Sequence, residues 1–218
     1  MEEAIGLQRW VCLDVGETLV DETRIWSIWA DMVGVPRLTF MAMLGAVIAR
    51  GGQHREVFEK LGVSQWGARW PEAAERVGPF IAEDLYRDAL PTAGALAAVG
   101  YRVAIIGNQP GARSEELRAL GFEPDVIAMS DEMGVFKPDP AFFARSLELM
   151  GGPNPRDVAY VGDRVDNDVV PALAHGMRAV WIRRGPWGLI QALPEGVRPA
   201  LVVKSLTELV DHVGEVWE

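Results

Sequence analysis

The chain has 218 residues, 49% of them hydrophobic and 24% charged, which is typical of one globular domain or of one domain with a smaller insert. The formal net charge of -10 argues against a nucleic-acid partner, because binding to a phosphate backbone needs clustered positive charge. No apolar run approaches the ~20 residues of a membrane span, and the single cysteine, Cys12, excludes an internal disulfide. The acidic start lacks the basic region of a signal peptide, so we expect a cytoplasmic protein without a membrane partner, either a monomer or a homodimer.

The first regular element is predicted at residues 10–13, where the apolar run Trp-Val-Cys-Leu leads directly into Asp14. Gly16, Glu17 and Thr18 then break the pattern, and a short apolar run closed in this way is typical of a strand buried on both faces. Such strands belong to parallel sheets, which place their ligand chemistry at the carboxyl ends of the strands. At this point Asp14 has two open interpretations, as a turn residue or as a nucleophile or metal ligand.

Between residues 20 and 89 the chain shows no strand pattern. Apolar periodicity, interrupted by glycine and proline, instead predicts four helices over residues 21–33, 39–50, 55–61 and 71–88. This segment is therefore predicted to be a helical block inserted after the first strand. Its four tryptophans are expected to serve mainly in packing, because aromatic residues at helical spacing usually face a core.

From residue 91 onward, strand and helix patterns alternate. Strands are predicted at residues 101–106, 125–129, 158–161, 178–182 and 201–203. Helices are predicted at residues 92–99, 114–120, 141–150, 168–175 and 206–213, and residues 185–188 are predicted to be a loop. This alternation predicts an α/β fold, with a Rossmann-like parallel sheet joined by right-handed crossovers.

Polar residues or glycines follow the first, second and fourth strands: Asp14, Gly107-Asn108 and Gly162-Asp163. Because the carboxyl ends of parallel strands meet at one edge of the sheet, we expect these residues to lie close together. Lys137 follows the third strand and could reach the same edge, as could Asp168. Three carboxylates in one cleft repel each other unless a cation lies among them, and oxygen ligands favour Mg²⁺.

Four segments carry a resemblance to a known family: Asp14-Val-Gly-Glu-Thr-Leu, Ile105-Ile-Gly-Asn108, Gly134-Val-Phe-Lys137-Pro-Asp-Pro and Val161-Gly-Asp163-Arg-Val-Asp-Asn-Asp168. In this order, each at or just after a predicted strand end, they resemble the four motifs of the haloacid dehalogenase (HAD) superfamily of hydrolases. The resemblance covers the whole chain. It implies a Rossmann-like core of residues 1–19 and 90–218, and a helical cap of the C1, subfamily I type over residues 20–89.

The resemblance also implies a role for each matching residue. Asp14 would be the nucleophile of a phosphatase, forming an aspartyl-phosphate with a small phosphorylated metabolite. Mg²⁺ would be held by Asp14, the backbone carbonyl of Gly16 and Asp163, with Asp168 reinforcing the site. Lys137 would neutralise the phosphate and the nucleophile, and the chain has only three lysines, which makes a lysine in this loop informative.

Two positions depart from the family's pattern. Phosphatases of the family usually carry a second Asp two residues after the nucleophile, as general acid and base, but this chain has Gly16, and losing a general acid costs ~10²–10⁴-fold in rate. The second motif usually ends in Ser or Thr, which holds the phosphoryl group, but this chain has Gly107, and losing one such donor costs ~10²–10³-fold. Asn108 or a backbone N–H could replace that donor in part, whereas Glu17 lies at the wrong offset to replace the acid.

These departures leave several interpretations open. The substrate could have a good leaving group, such as an acyl or aryl phosphate. The acid could instead come from the cap, where the candidates by type are Asp21, Glu22, His54 and Glu56. Another reaction on the same fold is phosphonate hydrolysis, in which Lys60, the only cap lysine, would form a Schiff base; dehalogenation is disfavoured, because relatives that perform it lack the metal whose ligands this chain keeps. The remaining alternative is a catalytically impaired module that binds a metal or a partner.

Overall fold

The structure, a computed structural model, describes residues 8–218. Its centre is a sheet of six parallel strands in the order β3-β2-β1-β4-β5-β6. The strands are β1 (Trp10–Leu13), β2 (Arg102–Gly107), β3 (Val126–Met129), β4 (Val158–Gly162), β5 (Arg178–Ile182) and β6 (Leu201–Val203). Every predicted strand is present within one residue of its predicted bounds, and the predicted α/β fold with a parallel sheet is confirmed.

The strand register brings the ends of the central strands to one edge of the sheet. Leu13, the last residue of β1, lies opposite Ile105 of β2 and Val161 of β4. β1 also lies where the strand order reverses, with β2 and β3 on one side and β4 to β6 on the other. Open α/β sheets bind their ligands in the crevice at such a point, so the fold places Asp14 in a favourable position.

Four helices follow β1 before the chain returns to the sheet. They are α1 (Thr23–Met32), α2 (Arg37–Ile48), α3 (Glu56–Lys60) and α4 (Trp70–Val77), called the helical block below. The helical block buries an aromatic cluster, to which α1 contributes Trp26 and Trp29, α2 and α3 contribute Phe40 and Phe58, and residues outside the block contribute Trp187. α1 and α4 are amphipathic, which allows one face of each to be buried in this way, whereas α2 is apolar around most of its circumference.

The remaining helices are α5 (Ala89–Ala98), α6 (Arg113–Ala119), α7 (Ser130–Met133), α8 (Pro140–Leu149), α9 (Val170–Ala174), α10 (Gly185–Ile190) and α11 (Leu206–His212). On one face of the sheet, Leu13 packs in a cluster with Leu96 of α5 and Leu209 of α11. On the other face, Cys12 packs in a cluster with Phe142 of α8. Successive strand residues point to opposite faces, so burial on both faces explains why the strands are continuous apolar runs.

The predicted helix over residues 71–88 is wrong beyond its first half. α4 ends at Val77, because Gly78 adopts a φ of +62°, a left-handed conformation that stops a helix and suits glycine. The chain then turns back, and Leu85 pairs with Val20 in an antiparallel bridge. The end of the helical block is thereby tied to the turn that follows Asp14.

Two further predictions differ from the structure near the last strands. Residues 185–188, predicted to be a loop, begin α10, in whose first turn Pro186 is tolerated because a helix needs no N–H donor there. The predicted helix over residues 168–175 starts instead with a π-helical turn, Val165–Val169, which continues into α9. Such π-helical turns occur frequently at functional sites.

Within residues 8–218, no single helix is long and apolar enough to cross a membrane. Taken together, α1 and α2 have the length and apolar composition of a membrane span, but the chain bends by 113° between them.

Candidate active site

Asp14 lies directly after β1, and its side chain is buried. Its backbone N–H donates to the carbonyl of Val161 at 2.9 Å, so residue 14 continues the pairing of β1 with β4. The chain then folds back in a tight turn, in which the N–H of Val20 donates to the carbonyl of Val15 at 3.0 Å and Glu17 adopts a φ of 51°. Hydrogen bonds thus fix the backbone both at Asp14 itself and in the turn that follows it, and this holds the Asp14 carboxylate in place.

Asp163 and Asp168 come from the end of β4 and from the π-helical turn that follows it. The N–H of Arg164 donates to Asp168 Oδ2 at 2.9 Å, which fixes that carboxylate. Gly162 makes room for it, since a Cβ at residue 162 would overlap the Asp168 side chain. Both carboxylates are almost completely buried, and one oxygen of each lies with an oxygen of Asp14 in a group whose members are all within 4.8 Å of one another.

Lys137 supplies the positive charge of this cluster. Its Nζ lies 2.7 Å from Asp14 Oδ1 and 2.7 Å from Asp168 Oδ1, and its side chain is only 2% exposed. Asn108 holds the Lys137 backbone, because its Oδ1 accepts from the Lys137 N–H at 2.8 Å and its Nδ2 donates to the Lys137 carbonyl at 3.0 Å. The Asn108 side chain thus positions the lysine, and the predicted contact of Asn108 with phosphate is left to its backbone N–H.

The electrostatics of the cluster are dominated by burial and by an excess of carboxylates. Burial raises the pKa of Asp14 to about 6, against the opposing effect of Lys137. Burial, together with repulsion from Asp168 and Asp14, raises the pKa of Asp163 well above its usual range. Burial opposes the charge on Lys137, but the two carboxylates outweigh it and raise the lysine pKa. Three carboxylates facing one ammonium leave an excess of negative charge that a bound cation would neutralise.

The donor set fits a divalent metal ion. Within the described residues, Asp163 Oδ2 is buried without any hydrogen-bond partner, and a buried carboxylate oxygen is costly in free energy unless something neutralises it. Both oxygens of Asp168 are already hydrogen-bonded, one to Lys137 and the other to the N–H of Arg164, so Asp168 is less free than Asp163 to bind a cation. Asp14 and Asp163 are therefore the side chains best able to hold a cation, and the contribution of the Gly16 carbonyl stays a prediction.

Gly107, the last residue of β2, lies in direct contact with Asp14. A Cβ at this position would lie 2.6 Å from Asp14 Oδ1 and 3.0 Å from Val15 Cγ2. Because atoms do not pack so closely, a Ser or Thr here would push the carboxylate away from Lys137. The glycine is thus matched to this placement of Asp14, and the predicted contact of Gly107 with phosphate can only come from its backbone.

A cavity of about 510 Å³ opens in front of Asp14, within the size range of small-molecule sites. Seven Trp and Phe residues line it, alongside charged and polar side chains: Trp26, Trp29, Phe58, Trp66, Trp70, Phe136 and Trp187. Trp26 and Trp29 also belong to the buried aromatic cluster of the helical block, so they pack in the core, as expected, and line the cavity as well.

Two of the four cap acids considered from the sequence line this cavity, Glu22 and His54. Burial raises the pKa of Glu22 and lowers that of His54 to about 4. The other two are engaged in local turns, since Asp21 Oδ1 accepts from the N–H two residues on and Glu56 Oε1 accepts from the N–H three residues before, each at 2.8 Å. The structure therefore separates four candidates that the sequence could not rank.

Glu17 is held by two hydrogen bonds in the turn after Asp14. Its Oε2 accepts from the hydroxyl of Tyr86 at 2.5 Å, and its Oε1 accepts from the backbone N–H of Glu22 at 3.0 Å. Burial and repulsion from Glu22 raise the pKa of Glu17 to about 7. One oxygen thus positions the start of α1, and the other binds Tyr86, which lies just before α5.

Sequence reasoning missed several residues of the cavity, among them Gln109, Arg113 and Trp187. Gln109 had a usable signal, because it directly follows the polar end of β2. Trp187 had none, because it belongs to a segment predicted to be a loop and reaches the cavity only through the packing of α10 against α2.

Comparison with known proteins identifies the family. The HAD-hydrolase-like family matches residues 135–209. A phosphoserine phosphatase from Thermus thermophilus is 30% identical over 170 residues, which cover 72% of this chain and 68% of that protein. The chain belongs to the HAD-like hydrolase superfamily.

Other similarities extend this result. A glyceraldehyde 3-phosphate phosphatase from Methanopyrus kandleri is 31% identical over 134 residues, which cover 60% of this chain and 57% of that protein. The match with our chain thus spans just over half the length of this relative. Among solved structures, the magnesium-bound HAD-hydrolase YfnB from Bacillus subtilis matches with a TM-score of 0.72 at 16% identity, over 94% of this chain and 97% of that one. An L-2-haloacid dehalogenase matches with a TM-score of 0.73 at 16% identity, over 95% and 99% of the two chains. At these identities the structural matches establish the fold.

Proposed function

We propose that this chain is a Mg²⁺-dependent phosphatase that acts on a small phosphorylated metabolite through an aspartyl-phosphate on Asp14. The observation that carries the proposal is the buried cluster in which Asp14 contacts Lys137 and faces Asp163 and Asp168. A carboxylate placed beside a lysine and a cation site is suited to attack phosphorus, because both positive charges offset the repulsion between two anions. The names of the two phosphatases described above support the same class of reaction.

In the first step, a carboxylate oxygen of Asp14 forms a bond to phosphorus while the bond from phosphorus to the leaving oxygen breaks. Lys137 lies 2.7 Å from Asp14 and would balance the charge that develops on the phosphoryl oxygens. Asp14, the Gly16 carbonyl and Asp163 would hold Mg²⁺, supported by Asp168, and the bound ion supplies charge neutralisation for phosphoryl transfer. In the second step, a water oxygen bonds to phosphorus, the bond to Asp14 breaks and inorganic phosphate is released.

We further propose that residues 20–89 act as a cap that selects the substrate. Most of the Trp and Phe residues that line the cavity come from this segment, with Trp26 and Trp70 as examples. These aromatic side chains favour a leaving group with an apolar or aromatic portion, because such a portion buries apolar surface against them. Arg55, Arg113 and Arg164 also line the cavity, and a second anionic group of a substrate could meet any of these cations.

The test of the proposed function is hydrolysis of 4-nitrophenyl phosphate, measured with Mg²⁺ and with EDTA. We expect turnover that needs the metal and that is lost in Asp14→Asn, which keeps the side-chain shape but removes the nucleophile. Asp211→Asn on the exposed surface of α11 is the matched control and should retain full activity. Wild-type turnover no higher than that of Asp14→Asn, from protein that binds Mg²⁺ in calorimetry, would contradict the proposal and favour a metal- or partner-binding module.

The cavity does not favour phosphonate hydrolysis as a second function. Lys60 is exposed at the end of α3 and is not among the residues that line the cavity. The cavity lining therefore supplies no lysine from residues 20–89 that could form a Schiff base with a substrate in front of Asp14.

A further inference from the structure

The side chain of Glu22 places a carboxyl group beside Gly16, where phosphatases of the family usually carry an Asp. Residue 16 is a glycine, but a Cβ built on it would lie 2.6 Å from Glu22 Oε1 and 3.2 Å from Glu22 Cδ. The carboxyl of Glu22 therefore fills the space that a side chain at residue 16 would enter. Gly16 does not have a positive φ, so its backbone conformation would accept a side chain, and the close obstacle to one is the Glu22 carboxyl.

Glu22 is held in this place by contacts at both ends of the residue. Its backbone N–H donates to Glu17 Oε1 at 3.0 Å, which ties the start of α1 to the turn after Asp14. Its Oε2 accepts from Trp26 Nε1 at 3.1 Å, one helical turn further along α1. Oε1 is the oxygen that faces Gly16, and Glu22 also lines the cavity in front of Asp14. Oε2 is thus anchored by Trp26, while Oε1 is directed toward the turn after Asp14, where the Gln109 amide also approaches the Glu22 carboxyl.

We propose that Glu22, supplied by the first helix of the helical block, is the acid–base residue that position 16 lacks. This inference rests on the proposed phosphatase function. As the bond between Asp14 and phosphorus forms and the bond to the leaving oxygen breaks, the proton of the Glu22 carboxyl passes to the leaving oxygen. In the second step, the attacking water gives its proton to Glu22 as its oxygen bonds to phosphorus and the bond to Asp14 breaks, which restores both carboxyl groups.

The geometry distinguishes Glu22 from the other acids near the site. Both oxygens of Glu17 accept hydrogen bonds from Tyr86 and from the Glu22 backbone. Asp21 and Glu56 are bound to backbone N–H groups of their own turns and do not line the cavity. His54 lines the cavity, but it packs edge-on against Trp26 and Trp187 and does not contact the residue 16 position.

The close approach of Glu22 to Gly16 also means that carboxyl groups at residues 16 and 22 exclude each other. An Asp at residue 16 would place its Cβ within 2.6 Å of Glu22 Oε1 and would have to displace it. Removing the Glu22 side chain vacates the same space. A carboxyl transferred to residue 16 should therefore function only when residue 22 is shortened, and this reciprocity is what the test uses.

The experiment measures kcat/KM in Mg²⁺ for Glu22→Gln, Glu22→Ala, Gly16→Asp and the double variant Gly16→Asp/Glu22→Ala. The substrates are 4-nitrophenyl, phenyl and benzyl phosphate, whose leaving groups need increasing help from an acid. We expect Glu22→Gln and Glu22→Ala to lose ~10²–10⁴-fold with benzyl phosphate and much less with 4-nitrophenyl phosphate. Gly16→Asp alone should lose activity, whereas the double variant should recover at least tenfold over Glu22→Ala with benzyl phosphate.

Asp21→Asn, adjacent in sequence and outside the cavity, is the control and should match the wild type. Glu22→Gln keeps an acceptor for Trp26, so it remains informative if Glu22→Ala unfolds. Losses that are equal for all three leaving groups would overturn the proposal in favour of a structural role, and unchanged kinetics in Glu22→Gln would overturn it outright. Failure of the proposed function itself looks different, because the wild type would then show no turnover that depends on Asp14.

Discussion

Replacing Lys137 with methionine tests the charge balance of the site. The Lys137 side chain is 2% exposed, and its Nζ lies 2.7 Å from carboxylate oxygens of both Asp14 and Asp168. At an effective dielectric constant near 20, each of these contacts is worth about 6 kcal/mol of attraction, which offsets the several kcal/mol that burying each ion costs. Methionine keeps the length of the side chain but removes the charge, so two buried carboxylates lose their partner. Because removing one member of a buried ion pair costs about 3–5 kcal/mol, we expect Lys137→Met to lower the free energy of unfolding by about that amount in EDTA.

Urea unfolding followed by circular dichroism, near neutral pH and in EDTA or Mg²⁺, measures this loss. Mg²⁺ should recover part of it, because a cation that binds the folded state stabilises that state by mass action. Adding Asp14→Asn to Lys137→Met should also recover part of it, because one uncompensated charge is removed. Lys204→Met, at an exposed lysine, is the matched control and should leave the midpoint unchanged. A loss below about 1 kcal/mol for Lys137→Met in EDTA would refute the reasoning, because the carboxylates would then not depend on the lysine.

Three further outcomes are expected. Gly107→Ser places a Cβ 2.6 Å from Asp14 Oδ1. It should therefore lower kcat, and it should lower the free energy of unfolding measured in urea by about 1–3 kcal/mol. A higher activity than that of the wild type would contradict the tight packing at this position. Burial lowers the pKa of His54 from 6.5 to about 4, so between those values the unfolded chain binds a proton that the folded chain does not. As pH is lowered through that range, the free energy of unfolding of the wild type should therefore fall relative to that of His54→Phe, by at most about 3 kcal/mol, measured as the difference between urea titrations of the two proteins. Benzyl phosphate should exceed glycerol phosphate in kcat/KM by about tenfold or more, and equal values would argue against an apolar subsite.

Much of the core could be predicted from the sequence, because each strand is an apolar run that ends in glycine or a polar residue. That signal is local, and it located all six strands within one residue. Parallel strands share an edge at their carboxyl ends, so the same reasoning could place Asp14 and Asp163 together, with Lys137 within reach. The structure brings these residues and Asp168 into one buried cluster.

Helix ends were harder to predict than strands. Apolar periodicity over residues 71–88 continues past Val77, but α4 ends at Gly78, whose positive φ stops the helix, and Leu85 then pairs with Val20. The glycine is a local signal that outweighed the periodicity, whereas the pairing of Leu85 cannot be read from local propensity.

The sequence by itself determined the order of strands and helices, the family resemblance and the positions of Asp14 and Asp163 directly after β1 and β4. Only the tertiary structure decided where the side chains point. It turns the Asn108 amide toward the Lys137 backbone, brings Trp187 into the cavity wall and seats the Glu22 carboxyl against Gly16. The physical reason is that the direction of a side chain depends on packing between elements that are far apart in the chain, and spacing along the sequence does not contain that packing.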